Sequence, residues 1–469
     1  MCLSLVIHDV GAVGNSQTSL ISDTSLLSSY STPTTPTPSK GLIRTSVVRL
    51  KVKKKQEGQL KLLCSISAKL WNEVTYARRQ QFFYNKVVDL KGTYNQFYDK
   101  YSELLGADTA QAILNKNNQA WSDFFKELKK KKDGELPVFI KKINPPGYKK
   151  KNKTRELWTV VKNRQYKIME NKIIIKGLGA IGWIEVEYAG LVHLKGKQGS
   201  LEIHYNPDTK TWYAHITYTV TEKAVRGVWR KVPQKPKGNL KAGIDLGVNN
   251  LMVVYTEDGT SLLVNGRPLK SESHYWRERI AEYQSKINKY GIKETHRLDA
   301  MYNTWRKRAK SYINTQVRRV IEWLYEKGVS TIYVGHPKYI AQQKGNFNVT
   351  NIWSYKQVID RLEEVAEEYG MTVEEVDEAY TSSTCPIHGD SCGKRIVRGL
   401  FKCLTLDKVF NADIVGAFNI LRKSITSSPP KGKTHKGIEV TGWTPSHGLN
   451  AKDVALNLSA LTRVRTLAL

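Results

Sequence analysis

Four soft donors gather toward one end of the chain: Cys385, His388, Cys392 and Cys403. The Cys385-Pro386-Ile387-His388 spacing makes a tight chelating turn, and thiolates with an imidazole are the donors that suit Zn²⁺. Gly389, Gly393 and Gly399 supply turns for such a loop, and Asp407 is an alternative last ligand, ranked below His388. Four protein donors leave no open position, so this centre is structural rather than catalytic. Two acids carry different chemistry. Asp245 lies within the apolar run Ala242-Gly243-Ile244-Asp245-Leu246, and Asp413 follows Asn411 and Ala412. An acid on an apolar strand is costly unless it is paired or binds a cation, and taken alone Asp245 reads as a buried structural aspartate. Taken with other acids it becomes a hard oxygen ligand for Mg²⁺.

Composition indicates what such acids would work on. Among 469 residues, Lys and Arg total 74 against 43 acids, a net charge of +31. The cations are spread along the chain and interleaved with Tyr and Trp. Aromatics stack on bases while Lys and Arg displace phosphate counterions, so nucleic acid is favoured over a membrane surface as partner. No run of eighteen apolar residues exists to span a bilayer. Three of the five cysteines cluster, which speaks for metal and a reducing compartment rather than disulfides. Residues 1–40 are rich in Ser, Thr and Pro and read as a disordered leader or an over-called start. The apolar patch Leu3 to Ile7 lacks a basic flank and makes a poor signal peptide.

The elements that must position these residues follow from periodicity. Arg44 to Lys54 reads as a basic strand, Gln59 to Leu90 and Leu105 to Lys130 as helices, and Leu157 to Val220 as a series of strands forming a small β-barrel. The run Lys129 to Lys132 suits a solvated helix end and a phosphate contact equally. Gly177, Gly179 and Gly182 spell a dinucleotide-like motif, but an alternating strand follows instead of a helix, so a turn is the better account. Val232 to Lys237 is a linker. Beyond it come a strand through Asp245, a hairpin around Asp258-Gly259, a long helical region from Tyr275 to Lys327, a strand at Val329 to Val334, a helix at Tyr355 to Tyr369, a strand at Thr372 to Asp377 and a last helix from Asn411. This is a ribonuclease-H-like order. Its strand ends and last helix can bring acids together around two Mg²⁺ ions. On the long helix, Arg306, Lys307, Arg308, Arg318 and Arg319 fall largely off the apolar stripe and are candidate nucleic-acid contacts.

Three motifs then resemble a known family: Gly243-Ile244-Asp245-Leu246-Gly247-Val248, Tyr380-Thr381-Ser382-Ser383-Thr384-Cys385, and Asn411-Ala412-Asp413-Ile414-Val415-Gly416-Ala417-Phe418-Asn419-Ile420. They look like TnpB, the insertion-sequence-encoded RNA-guided nucleases related to type V CRISPR effectors. Ala120-Trp121-Ser122-Asp123-Phe124-Phe125 and Pro146-Gly147-Tyr148 fit the same family. The resemblance implies a multidomain α/β protein: a wedge β-barrel (41–57 and 155–225) interrupted by a helical recognition domain (58–154), then a RuvC nuclease domain (238–423) with a zinc-finger insert at about 381–408, and a flexible tail (424–469). It implies a guide RNA from the element's end, double-stranded target DNA, catalytic Mg²⁺, structural Zn²⁺, and a cytoplasmic, nucleoid-associated place in a prokaryote. Asp245 and Asp413 match the first and third RuvC acids. The second is a Glu at a position occupied here by Gly335 or His336. Either the site is inactive, leaving a guided DNA-binding protein, or Glu378 at the end of the adjacent strand replaces it. Asp377, pointing to the opposite face, ranks lower. The zinc finger also departs from the family's two Cys-x-x-Cys pairs, keeping Cys385, His388, Cys392 and Cys403.

Overall fold

The computed structural model describes residues 41–136, 140, 142–151, 154–155, 157–207, 209–336, 355–378, 381–388, 392–397 and 399–427. The leader, nearly all of the tail and Tyr380 lie outside the described residues.

Strand β1 (Ile43–Lys51) buries Ser46, Val48 and Leu50 and exposes the residues between, the period-two pattern of a half-buried strand. Its sheet resumes only after three helices, α1 (Lys54–Asn85), α2 (Leu90–Leu105) and α3 (Ala107–Lys132), and a short pair, β2 (Lys150–Lys151) with β3 (Thr154–Arg155). Strands β4 (Trp158–Val161), β5 (Tyr166–Ile168), β6 (Lys172–Ile175), β7 (Ile184–Ala189), β8 (Leu194–Asn206) and β9 (Thr211–Val225) then join β1 in the order β4-β8-β9-β1-β7-β6-β5, with β10 (Val228–Lys231) paired to β9. The two ends of that path, β4 and β5, are linked by residues 162–165 alone, so the sheet curls into a nearly closed barrel. Val160, Ile173, Val186, Ile203 and Ala214 fill it, and Leu63, Leu70 and Ile113 of the helices join the same core.

The helical insertion differs from expectation in one respect. The sequence reading ran one helix to Leu90 and began the next at Leu105, whereas α2 occupies the interval and is N-capped by Asp89, whose Oδ1 accepts the Gly92 N–H at 2.8 Å. Arg78 of α1 holds the three helices together through neutral side-chain acceptors, with the charge of Asp89 nearby. It donates to Thr93 Oγ1 (2.9 Å), Asn117 Oδ1 (2.6 Å) and Asn118 Oδ1 (2.6 Å), and burial pushes its guanidinium down to about 10. The dinucleotide-like glycines form the turn between β6 and β7, as read from the sequence.

The second sheet has the order β13-β12-β11-β14-β15. Strands β11 (Leu240–Leu246), β14 (Val329–His336) and β15 (Thr372–Asp377) are mutually parallel, and β12 (Asn250–Thr256) and β13 (Ser261–Asn265) are antiparallel. The strand through Asp245 and the two later strands are thus parallel neighbours. The long helical region is two helices, α4 (Arg267–Asn288) and α5 (His296–Glu326), because Thr295 starts a new one by accepting the Leu298 N–H at 3.1 Å. Helices α5 and α6 (Tyr355–Glu368) cover one face, meeting Ala242, Ile244, Ile332 and Val334. Helix α7 (Ala412–Ser427) covers the other, meeting Val253, Tyr255 and Tyr333, and its reach to Ser427 shortens the expected tail. A three-stranded ribbon, β16 (Gly393–Val397), β17 (Leu400–Cys403) and β18 (Lys408–Asn411), precedes α7. No described helix is long and apolar enough to cross a membrane.

Glu368, only 2% exposed, ties the barrel to the second sheet. Lys223 of β9 and Arg318 of α5 both pair with its carboxylate, the latter at 3.0 Å. Its carbonyl accepts the N–H of Gln234 in the linker at 2.9 Å.

Candidate active site

Alternation along β11 turns Ala242, Ile244 and Leu246 toward α5 and α6, and Gly243 and Asp245 toward α7. Extending the β11–β14 register, Ile244 opposite Val334, sets Asp245 beside Gly335, and Gly335 is opposite Val376 on β15. Glu378, two residues past Val376, returns to the same face. Asp413 arrives from α7, whose first turn is capped by Asn411: its Oδ1 accepts the N–H groups of Asp413 (3.0 Å) and Ile414 (3.1 Å).

Two glycines permit this approach. A Cβ at Gly243 would lie 2.3 Å from the carbonyl of Ala417, and one at Gly416 would lie 2.6 Å from Asp245 Oδ2. Helix α7 therefore lies directly on β11. A third glycine bears on the missing acid. A Cβ at Gly335 would lie 3.3 Å from Glu378 Oε2, so the Glu378 carboxylate reaches the place where a side chain at 335 would begin. The backbone at Glu378 is held there by Thr381, whose N–H (3.1 Å) and hydroxyl (2.8 Å) both donate to the Glu378 carbonyl. Asn419 of α7 donates in turn to the carbonyls of Thr381 (2.7 Å) and Thr384 (2.9 Å). Asp377 is exposed and ion-paired with Lys423 at 3.6 Å.

The electrostatics are those of crowded acids. Burial, then the charges of Glu378 and Asp413, push the Asp245 carboxyl up to about 7 against the opposing charge of Arg395. Burial and the neighbouring Asp377 push Glu378 up to about 7 as well. The Tyr355 hydroxyl is pushed up to about 12 by burial and by the same two acids. Like charges that cannot all ionise together are relieved by a divalent cation, and an all-oxygen donor set suits Mg²⁺. Arg395, Tyr355 and Asn250 were not among the site residues read from the sequence. Arg395 sits on β16 of the ribbon, and no spacing in the chain connects it with Asp245. Asn250 donates to Asp413 Oδ2 at 2.8 Å.

Cys385, His388, Cys392 and Cys403 converge so that one ligand atom from each lies within 4.8 Å of all the others. A tetrahedral zinc with Zn–S of ~2.3 Å and Zn–N of ~2.0 Å requires S···S edges of roughly 3.8 Å and S···N edges of roughly 3.5 Å. The Cys392–Cys403 sulfurs are 3.8 Å apart, and His388 Nδ1 is 3.6 Å from Cys385 Sγ, 3.6 Å from Cys403 Sγ and 3.0 Å from Cys392 Sγ. Three of four edges match and the residues fit zinc. Burial raises the Cys403 thiol, but the amides of Leu406 and Thr405 and the thiols of Cys385 and Cys392 outweigh it and leave the group below its ordinary value. Asp407 pairs with Lys402 and is not in the cluster. Cys385 and Cys403 share a core with Phe401, Phe410 and the α7 residues Ile414 and Phe418, so this centre braces the helix that carries Asp413.

A family model described as "Probable transposase", of the OrfB/IS605 type, matches residues 215–341, and a Cas12f1-like TNB-domain model matches residues 355–420. The TnpB-like protein ORF457 of Acidianus two-tailed virus is 41% identical over 406 residues, covering 81% of this chain and 87% of that protein. The chain belongs to the TnpB family. The fold of this TnpB-family chain is shared with a Cas12f1–sgRNA–target DNA complex (TM-score 0.56, 15% identity, 78% of this chain and 82% of that one). It is also shared with the mini-RNA-guided endonuclease CRISPR-Cas_phi3 (TM-score 0.50, 10% identity, 84% and 94%).

The cations expected to meet nucleic acid divide between two faces of α5. Arg308 turns toward α4, pairing with Glu272 at 2.9 Å and lying 5.8 Å from the Trp276 ring, and the exposed Arg306 lies 5.8 Å from the Tyr302 ring. Lys307, Lys310 and Arg318 line the opposite side with Arg226 of the β9–β10 turn and Arg361 of α6, around a cleft of about 510 Å³, and Arg226 and Arg361 are themselves paired with Glu322 and Glu364. Arg318 differs from the free contact expected of it, because Glu368 engages it and most of its side chain is buried. Arg319 is half-buried.

Proposed function

We propose that this TnpB-family protein is an RNA-guided DNA endonuclease that hydrolyses phosphodiester bonds at Asp245, Glu378 and Asp413. The observation that carries this reading is the Glu378 carboxylate, which reaches to 3.3 Å from a side-chain origin at Gly335. With it, β11, the residue just past β15 and the first turn of α7 offer one acid each. Two bound Mg²⁺ ions would supply activation of water and neutralisation of charge on the leaving oxygen.

The chain's own groups do the rest. Asp245 and Glu378 must shed protons to hold the ions, and both do so near neutral pH. Arg395, close enough to counter the charge on Asp245, is suited to hold the phosphate being cut. Cys385, His388, Cys392 and Cys403 would keep one Zn²⁺ that fixes the ribbon and α7.

The partners in this reading are a guide RNA from the element's end and double-stranded target DNA, the kinds of ligand present in the Cas12f1 complex that shares the fold. Base pairing would read the sequence, while the barrel, the helical insertion and the nuclease sheet hold the backbones. The cleft lined by Lys307, Lys310 and Arg318 is on the α5–α6 face, across the sheet from the acids. A strand held there is not the one being cut, so this cleft suits the guide. Arg306, Arg308 and Arg319 extend the positive surface along α5.

The test is Mg²⁺-dependent cutting of a guide-matched plasmid by the reconstituted complex, alongside Glu378→Gln. Loss of cutting with guided binding retained supports the reading. Guided binding without cutting by the unaltered protein would mean that the chain is a nuclease-inactive DNA-binding member of its family.

A further inference from the structure

The turn after Asp245 returns the chain to β12, whose first residue, Asn250, extends its side-chain amide to Asp413 Oδ2 at 2.8 Å. An ionised carboxylate only accepts hydrogen bonds, so the amide must present its NH₂ group to it. The turn that delivers Asn250 is held firmly. Gly266 donates its N–H to the Asn249 carbonyl at 2.8 Å, and a Cβ at Gly266 would lie 2.4 Å from the Val248 carbonyl. Asp413 is equally fixed at its backbone by the Asn411 cap. Among the described residues, Asp413 Oδ1 accepts no hydrogen bond, so one oxygen is anchored and the other is left for a cation.

The chemistry of the donor matters. A lysine or arginine here would orient the carboxylate but would also neutralise it and compete with a cation. A neutral amide orients it and leaves its charge intact. We infer that Asn250 is a positioning residue that aims Asp413 for metal through its 2.8 Å hydrogen bond to Oδ2. This rests on the reading of Asp413 as a metal ligand. Groups that orient a ligand from behind are typically worth ~10–100-fold in metal affinity.

The experiment measures Mn²⁺ binding to the full-length protein by calorimetry without nucleic acid, and the metal dependence of guided cutting with it. Asn250→Leu keeps similar bulk and removes the donor. It is expected to weaken Mn²⁺ binding by at least about 10-fold. The metal concentration for half-maximal cutting should rise by a similar factor, while the rate at saturating metal falls less. Asn250→Ser, too short to reach Asp413, gives the same readout should leucine impair folding. Asp413→Asn separates the two ideas. If it loses metal while both Asn250 variants bind like the parent, the positioning role is overturned and Asp413 stands as a ligand. If Asp413→Asn itself binds metal like the parent, the ligand assignment fails and the role of Asn250 fails with it.

Discussion

Asp245→Asn should make the metal-free protein more stable while abolishing its cutting. The Asp245 carboxyl moves from an ordinary value of 3.8 up to about 7, through burial and the charges of Glu378 and Asp413. A carboxyl whose value is higher folded than unfolded binds more protons in the folded state throughout that window. Stability therefore falls as pH rises from about 4 to about 7, and the loss is complete above it. At about 1.4 kcal/mol per pH unit the full penalty approaches ~4 kcal/mol. The carboxylate is partly accessible to solvent, and screening reduces the expected effect to ~2 kcal/mol. Asparagine mimics the protonated acid and escapes the penalty.

Thermal melting in chelator, across pH 5 to 8, reads this directly. For a cooperative unit of this size, ~2 kcal/mol corresponds to a rise of roughly 4–8 °C at pH 8. At pH 5, close to the ordinary value of 3.8, only about a third of the penalty has built up, and the difference should shrink accordingly. Adding Mg²⁺ should raise the melting point of the parent and narrow the gap, because a ligand stabilises only the form that binds it. An Asp245→Asn protein that melts at or below the parent at pH 8 in chelator, or a difference independent of pH, would refute the account of crowded acids.

The close approach of α7 predicts that Gly416→Ala displaces the Asp245 carboxylate, since the new Cβ would start 2.6 Å from Oδ2; cutting should fall at least about tenfold, a barrier change of ~1.4 kcal/mol, with guided binding intact in a filter assay. Glu368→Ala leaves Lys223 and Arg318 facing one another without their shared acid; unfolding in denaturant should show a loss of ~3 kcal/mol, and the seam between the barrel and the second sheet should become the first site of proteolysis. Cys403→Ser should release the zinc measured by elemental analysis of the purified protein, and melting should show the ribbon and α7 loosened together. Moving the acid back, as Gly335→Glu with Glu378→Gln, should fail to cut because the new Cβ lies 2.5 Å from Ile420 Cδ1. Adding Ile420→Val, which removes that one atom, should recover activity in the plasmid assay, and recovery without it would show that Ile420 is no obstacle.

The legible parts of this protein are those set by local chemistry. The alternating burial of β1, the strand through Asp245 and the Asn411 cap of α7 are all dictated by neighbours a few residues away. The four zinc-type donors could be named because three of them fall within eight residues, Cys385 to Cys392, and Cys403 follows closely. Short-range patterns did not reveal α2, because its Tyr94, Tyr98 and Tyr101 stripe reads as helix only once α1 and α3 are there to receive it. They also could not show that Arg318 would be spent on Glu368, fifty residues away, rather than on a phosphate. Arg395 was invisible for the same reason. What connects it to Asp245 is a fold, not a spacing.

The proposed relocation of an acid to Glu378 shows why that distinction matters. A catalytic carboxylate is constrained in space, not in sequence, and β14 and β15 are adjacent parallel strands whose ends reach the same edge. Strand neighbours are about 4.8 Å apart, a shift that a glutamate side chain can largely span. The transfer has two conditions that the structure makes visible. The residue giving up the acid must become small, because its side chain would begin where the incoming carboxylate now ends, and position 335 is glycine. The residue gaining it must be fixed beyond the end of its strand, where no ladder holds it, and Thr381 and Asn419 provide that support from the segment leading to Cys385 and from α7. A motif search that demands the acid on β14 would class this chain as inactive. The pairing of a glycine there with a clamped glutamate one strand over is the geometry that the proposed transfer of the carboxylate requires.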